Sequence, residues 1–179
     1  MTWHVELNKT FGVQFWNKTY GFTASIKNDN KIKWMQYQIV RNCQFSNYRV
    51  NKFKPNISSL CSYCHISDEK LSHLYFQCFK VKEFWDKVQD YFANLSVIIP
   101  LEITAVLFGY SNECSDSKIN YILLIAKRYI WTNKFSGAHL SINAFKNIFK
   151  KKLIELKDMF EYRNELEKFK EWQPILDVI

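Results

Sequence analysis

The sequence predicts a mainly α-helical chain: a small helical domain stapled by a zinc site, followed by a long C-terminal helical hairpin. Three observations predict it. Apolar residues recur at three- and four-residue spacing over long stretches. Gly and Pro are scarce, at four and three of 179 residues, while 47% of the chain is hydrophobic and 17% aromatic. Such a composition supplies a core and few breaks. Finally, Cys61, Cys64, His73 and Cys78 form a C-x2-C-x8-H-x4-C cluster.

Taken in order, residues 1–28 are polar and aromatic, punctuated by Gly12 and Gly21, and read as a linker with a short helix near Phe15–Tyr20. Ile32, Met35 and Ile39 sit at helical spacing, with Trp34 and Tyr37 beside them, and predict a helix over about 31–44. Ser46 can cap a short helix that Lys54-Pro55 ends. Residues 56–67 are the zinc turn. Ser67, followed by Asp68 and Glu69, predicts the start of a helix whose dipole the acids complement, and that helix carries His73 towards Cys78. Val81, Phe84, Trp85, Val88, Tyr91, Phe92 and Leu95 mark a strong amphipathic helix. Beyond Pro100, residues 103–109 form a short apolar element, and Asn112 to Lys118 a polar loop. The closing hairpin pairs the stripe Ile119, Ile122, Leu123, Ala126, Tyr129, Ile130 with Ile142, Phe145, Phe149, Leu153, Leu156, Phe160 across Gly137, and Pro174 should end any helix. The expected organisation is a segment 1–28, a zinc-binding module 29–96 and a helical region 97–179 packed on it as one domain.

The cysteine cluster carries the chemistry. Zinc takes four soft or borderline ligands in a tetrahedron, and three thiolates with one imidazole supply them. Four protein ligands leave no open position, so such a site stabilises a fold rather than catalysing. His65 is a second candidate for the nitrogen ligand, ranked below His73 because it adjoins Cys64. The competing reading is buried thiols around a core histidine. Cys43 and Cys114 are left over and receive no role, Cys114 being expected at the surface.

Charge is unevenly placed within a net +8. Residues 1–60 hold nine Lys/Arg against two acids, and residues 118–152 hold eight against none. The stretch between them is acidic. Lys127, Arg128, Lys134, Lys146, Lys150, Lys151 and Lys152 are the expected phosphate-binding surface, with a smaller share from Arg41 and Arg49. The competing reading is a set of solvated helix faces. The aromatic stripes read as core, and only Trp131, with Lys127, Arg128 and Lys134 close by, reads as an aromatic worth testing for stacking. No apolar stretch is long enough to span a bilayer and no leader-like h-region opens the chain, so no membrane partner and an intracellular place, nucleus or cytoplasm, are expected. Paired polymerase aspartates, phosphate-binding glycine loops and nucleophile motifs are absent, so the chain alone is expected to be catalytically inert.

The segment Trp34-Met35-Gln36-Tyr37-Gln38-Ile39-Val40-Arg41, then Leu60-Cys61-Ser62-Tyr63-Cys64, then Glu69 through Cys78 (EKLSHLYFQC) and Phe84-Trp85 resembles, in order, the C-terminal zinc-binding segment of LINE-type (non-LTR) retrotransposon reverse transcriptases. Lys70 and Phe79 depart from that family's usual Thr and Pro, and neither is a ligand position. The resemblance implies an accessory domain that follows a polymerase and holds element RNA or target DNA while a nick primes cDNA synthesis. It also implies a reverse transcriptase polymerase domain as a possible partner. Two alternatives stand beside it: a zinc-stapled protein-interaction module, and a decayed retrotransposon fragment with no selected function.

Overall fold

The computed structural model describes residues 2–26, 29–110, 116–137 and 139–178, the Asp116 side chain excepted. Cys114 and most of the polar loop lie outside the described residues. Nine α-helices are described: α1 (Trp3–Leu7), α2 (Val13–Ser25), α3 (Asn30–Val40), α4 (Asn47–Asn51), α5 (Phe79–Ala93), α6 (Ile103–Phe108), α7 (Asp116–Asn133), α8 (Ile142–Tyr162) and α9 (Gln173–Val178). A π-helical turn, His73–Gln77, precedes α5, and a 3-10 turn, Leu166–Phe169, precedes α9. Among the described residues there is no strand, only an isolated antiparallel bridge between Leu60 and Asp68.

One contiguous apolar cluster runs from Trp3 to Ile175. The segment 1–28, read from sequence as a linker, contributes to it. The Trp3 indole is buried and donates to the carbonyls of Ile39 (3.0 Å) and Val40 (2.9 Å), serving acceptors that the end of α3 would otherwise leave without partners. Phe11, Phe15 and Trp16 pack edge-on around Phe108 of α6. Helices α2 and α3 pack together, and Asp29 caps α3 by accepting from the amides of Lys31 and Ile32. Gly109 closes α6 at φ +94, where a Cβ would meet the Phe22 ring at 2.6 Å. Helix α5 buries Val81, Phe84, Trp85, Val88 and Phe92, and α8 buries Phe145, Phe149, Leu153 and Leu156, as their periodicity predicts. Phe92, Phe145 and Phe149 meet where α5 packs on α8. Helices α7 and α8 form the expected hairpin.

Two expectations need correction. Ser67 starts no helix; Asp68 bridges to Leu60, the chain is non-helical through Lys70, and helical turns begin at Leu71. Pro174 begins a helix instead of ending one, because the first turn needs no amide donor from that position.

Candidate metal centre

Two turns of chain deliver the ligands. Cys61 and Cys64 lie on a tight loop closed by the His65 amide donating to the Cys61 carbonyl at 3.0 Å. His65 itself is exposed, at a positive φ of 54°, and is not among the clustered ligands. His73 opens the π turn, whose wider winding closes with the Cys78 amide on the His73 carbonyl at 2.9 Å. The i→i+5 bond brings the two ends of the turn together, so His73 and Cys78 contribute to the same cluster. Cys78 then stands at the N-cap of α5.

The ligand atoms of Cys61, Cys64, His73 and Cys78 all lie within 4.8 Å of one another. The sulfurs of Cys61 and Cys78 are 3.8 Å apart, and the Cys64 sulfur is 3.3 Å from His73 Nε2. A tetrahedral zinc with Zn–S of about 2.3 Å requires sulfurs about 3.8 Å apart, a separation the Cys61–Cys78 pair matches, and the donor set of three thiolates and one imidazole suits that ion. The sulfur separation is far beyond a disulfide bond. The Tyr63 amide donates to the Cys61 sulfur at 3.4 Å. Contact with Cys61 holds the Cys78 thiol below its ordinary range, helped by the Lys80 and Val81 amides, while contact with Cys78 and burial push Cys61 up. Burial lowers the His73 pKa, favouring the neutral imidazole that can ligate a metal. With four protein ligands the centre can hold a cation and fix a turn; it offers no position for substrate.

A buried carboxylate organises the loop. Glu69, expected as an acid complementing the dipole of a helix begun at Ser67, is fully buried. One oxygen accepts the Ser62 amide at 2.9 Å and the Ser62 hydroxyl at 2.6 Å. The other accepts the Asn47 amide at 2.8 Å and the Lys134 ammonium at 2.5 Å. Glu69 therefore ties the loop between Cys61 and Cys64 to α4 and to the chain just past α7. Tyr63 adds a second tie, its hydroxyl donating to the Ile130 carbonyl at 2.5 Å. Glu6, from α1, accepts from the Ser72 amide and from Asn42 and so anchors the start of the ligand-bearing turn. Sequence reading missed these residues because the partners lie 65 to 67 positions apart; for Glu69, its place in the resembled motif was the available signal.

The expected phosphate-binding cluster does not survive intact. Lys127 is fully buried and donates to Gln36 Oε1 at 2.5 Å. Lys134 is buried in its ion pair with Glu69 and against Trp131 and Phe135. Neither ammonium reaches solvent, so both leave the phosphate-binding set; Lys127 sits on the core-facing side of α7, and Lys134, just past its end, is drawn in by Glu69. Trp131 is half-buried and holds this inward-turned lysine. Lys152 pairs with Asp29 (2.9 Å) and Glu155 (2.6 Å). Lys146 lies over the Tyr91 ring at 4.0 Å, Arg128 is half-buried, and Lys150 and Lys151 are exposed. Arg41 is exposed, and Arg49 donates to the Asn42 carbonyl. No helix among the described residues is long and apolar enough to cross a membrane.

No curated protein matches the chain. Residues 2–85 match the family described as zinc-binding in reverse transcriptase, a span that contains all four clustered ligands and the residues that tie their loop to α1 and α4. Over that span the chain is similar to a zinc domain associated with reverse transcriptase.

Proposed function

We propose that this chain is a zinc-stabilised, nucleic-acid-binding accessory domain of a non-LTR reverse transcriptase, holding element RNA or target DNA during target-primed reverse transcription and catalysing nothing itself. The observation that carries the reading is the convergence of Cys61, Cys64, His73 and Cys78 on one point inside the segment similar to reverse transcriptase zinc domains. Bound zinc would supply a rigid cross-link between the Cys61–Cys64 loop and the start of α5, positioning the surfaces around it. Lys150 and Lys151 support phosphate contact: they are exposed on α8, with no ion pair among the described residues. Phosphate contact gives affinity with little sequence preference.

The test is a zinc-loaded chain titrated with RNA and with DNA at several salt concentrations. The double variant Lys150→Gln/Lys151→Gln should bind more weakly and lose about one to two units of the slope of log affinity against log salt. Lys152 is left intact because its pairs join α3 to α8. Unchanged affinity and slope would leave these lysines as a solvated face.

A second reading, a zinc-stapled protein-interaction module, has one observation in its favour. A cleft of about 830 Å³ opens between α2, α7, α8 and the C-terminal turns, with Phe22, Leu124, Met159, Phe160 and Trp172 in its wall. Apolar docking there would be insensitive to salt, which separates it from phosphate binding.

A further inference from the structure

The first basic segment holds an exposed aromatic surface that the reading above does not use. Trp34 and Tyr37, one turn apart on α3, stack with ring centroids 5.5 Å apart and planes 18° from parallel. Of the six tryptophans, all described, Trp34 alone is exposed, at 60%. Together with Tyr20 of α2 the pair lines a shallow cleft of about 540 Å³ whose other walls are Thr23, Ala24, Asn30 and Lys33. No acid lines it. Beside the cleft, the Arg41 guanidinium is held by Tyr20, which with Tyr37 keeps it charged, and Lys33 donates to the Ala24 carbonyl at 3.3 Å.

The charge around this cleft is uncompensated for a definite reason. The two acids of residues 1–60 are both engaged elsewhere: Glu6 by Ser72 and Asn42, Asp29 by Lys152 and the α3 amides. Lys31 and Arg41 are exposed and Lys33 is half-buried, and none of the three has an ion pair among the described residues. Flat, solvent-facing rings flanked by cations are what single-stranded nucleic acid uses: bases stack on the rings and phosphates meet the cations. A duplex offers no free base face to such a surface.

We propose that Trp34 and Tyr37, with Tyr20 at the cleft wall and Arg41 and Lys33 as phosphate contacts, form a stacking platform for an unpaired base of single-stranded RNA or DNA. The platform rests on the nucleic-acid-binding reading and assigns it a second surface, separate from Lys150 and Lys151. Ring stacking supplies affinity without salt dependence; Arg41 and Lys33 supply the salt-dependent share.

The experiment uses the zinc-loaded full chain and three probes: oligo(rU), oligo(dT) and a DNA duplex. Anisotropy gives affinity, and the tryptophan emission reports Trp34, the one exposed indole. Trp34→Ala/Tyr37→Ala should lose about tenfold or more in affinity for the single strands, with the salt slope and duplex affinity unchanged. Trp34→Phe should retain most of the affinity, and quenching of tryptophan emission by the single strands should vanish in Trp34→Phe. Arg41→Gln should lower the slope by about one unit. Whichever single strand binds tighter identifies the source of the base. If the wild type binds the probes, Lys150→Gln/Lys151→Gln weakens it and the aromatic variants do not, the platform alone is overturned and the cleft passes to protein docking. Equal losses on duplex and single strand also overturn it. A wild type that binds none of the three probes overturns the function reading and the platform together.

Discussion

The metal-bearing loops and the C-terminal hairpin are held by opposite means. Between residues 56 and 78 the buried apolar side chains are Cys61, Leu71, Leu74, Tyr75 and Cys78, while Ile57, Leu60 and Ile66 are exposed. That region relies on its ligand set and on a buried carboxylate with four donors. The hairpin of α7 and α8, with α5 against it, relies on interlocked rings, Phe84, Phe92, Tyr129, Phe145 and Phe149. A fold joined from the two should fail in different places under different insults: cation removal at the loops, cavity formation in the helices.

The largest effect should come from the cation. Chelation should release the Cys61–Cys64 loop and the π turn, since apparent zinc binding of about 10–16 kcal/mol in small zinc domains is folding energy. Hydrogen exchange with and without chelator checks it: protection should fall over about 56–80 and persist in α5 beyond its first turn and in α7 and α8. Uniform loss across the chain would show that the loops and the hairpin do not differ in what holds them. Cys61→Ser should reproduce the chelated pattern with zinc present.

Next comes the buried carboxylate. Glu69→Gln keeps the shape and leaves the Lys134 ammonium buried without a counter-charge, a loss of about 3–5 kcal/mol. The damage should be local to the loop and should appear as weaker zinc retention against a competing chelator. Adding Lys134→Met should recover part of it, because the buried unpaired charge is then gone. No recovery in the double variant would mean that the Ser62 and Asn47 contacts, and not the ion pair, set the effect. Phe145→Ala supplies the contrast. It opens a cavity between α5, α7 and α8 and should cost about 3–5 kcal/mol in denaturant unfolding. Zinc stoichiometry should stay at one per folded chain.

The same contrast explains what the sequence made legible. Apolar periodicity located α3, α5, α7 and α8 because those helices are held by the stripes that define them. Ligand types and spacing located the metal centre, since a tetrahedron constrains residue identity directly. Buried polar groups were opaque. Glu69 beside Asp68 resembles a first-turn acid, and only its distant partners reveal a buried counter-ion. Lys127 and Lys134 look like members of a basic patch in a one-dimensional charge count. Their burial follows from the face each occupies on α7 or just beyond it, where Ala126 and Ile130 also point inward. Acids can be committed elsewhere as cations can: Glu6 accepts from Ser72 and Asn42, and Asp29 pairs with Lys152 of the second basic segment, so a one-dimensional charge count misplaces their compensation.

Lys127 gives the smallest and most distinctive prediction, because it places a polar liability inside the apolar half. Its ammonium has the Gln36 side-chain oxygen as its partner, and Gln36 in turn donates to the Leu107 carbonyl at 3.0 Å. Burial pushes its pKa down to about 7. The unfolded chain holds that proton up to about pH 10.4, the ordinary lysine value. Between roughly pH 7 and 10 the unfolded state therefore binds more protons than the folded one, so this residue makes stability rise with pH across that window and stay level below it. Lys127→Met removes the burden and should stabilise the chain near pH 7 by about 1–3 kcal/mol. The gain is less than the full shift because the Gln36 oxygen loses its donor, itself a cost of about 1–3 kcal/mol. Near pH 10 the wild-type burden has vanished while the orphaned oxygen remains, so the variant should be the less stable protein. Urea unfolding of both proteins at pH 7, 8.5 and 10, with zinc held in excess, measures the difference; the thiolate and imidazole titrations act on both alike and cancel. A difference that keeps its sign and size across the three conditions would show that Lys127 remains protonated inside the fold throughout.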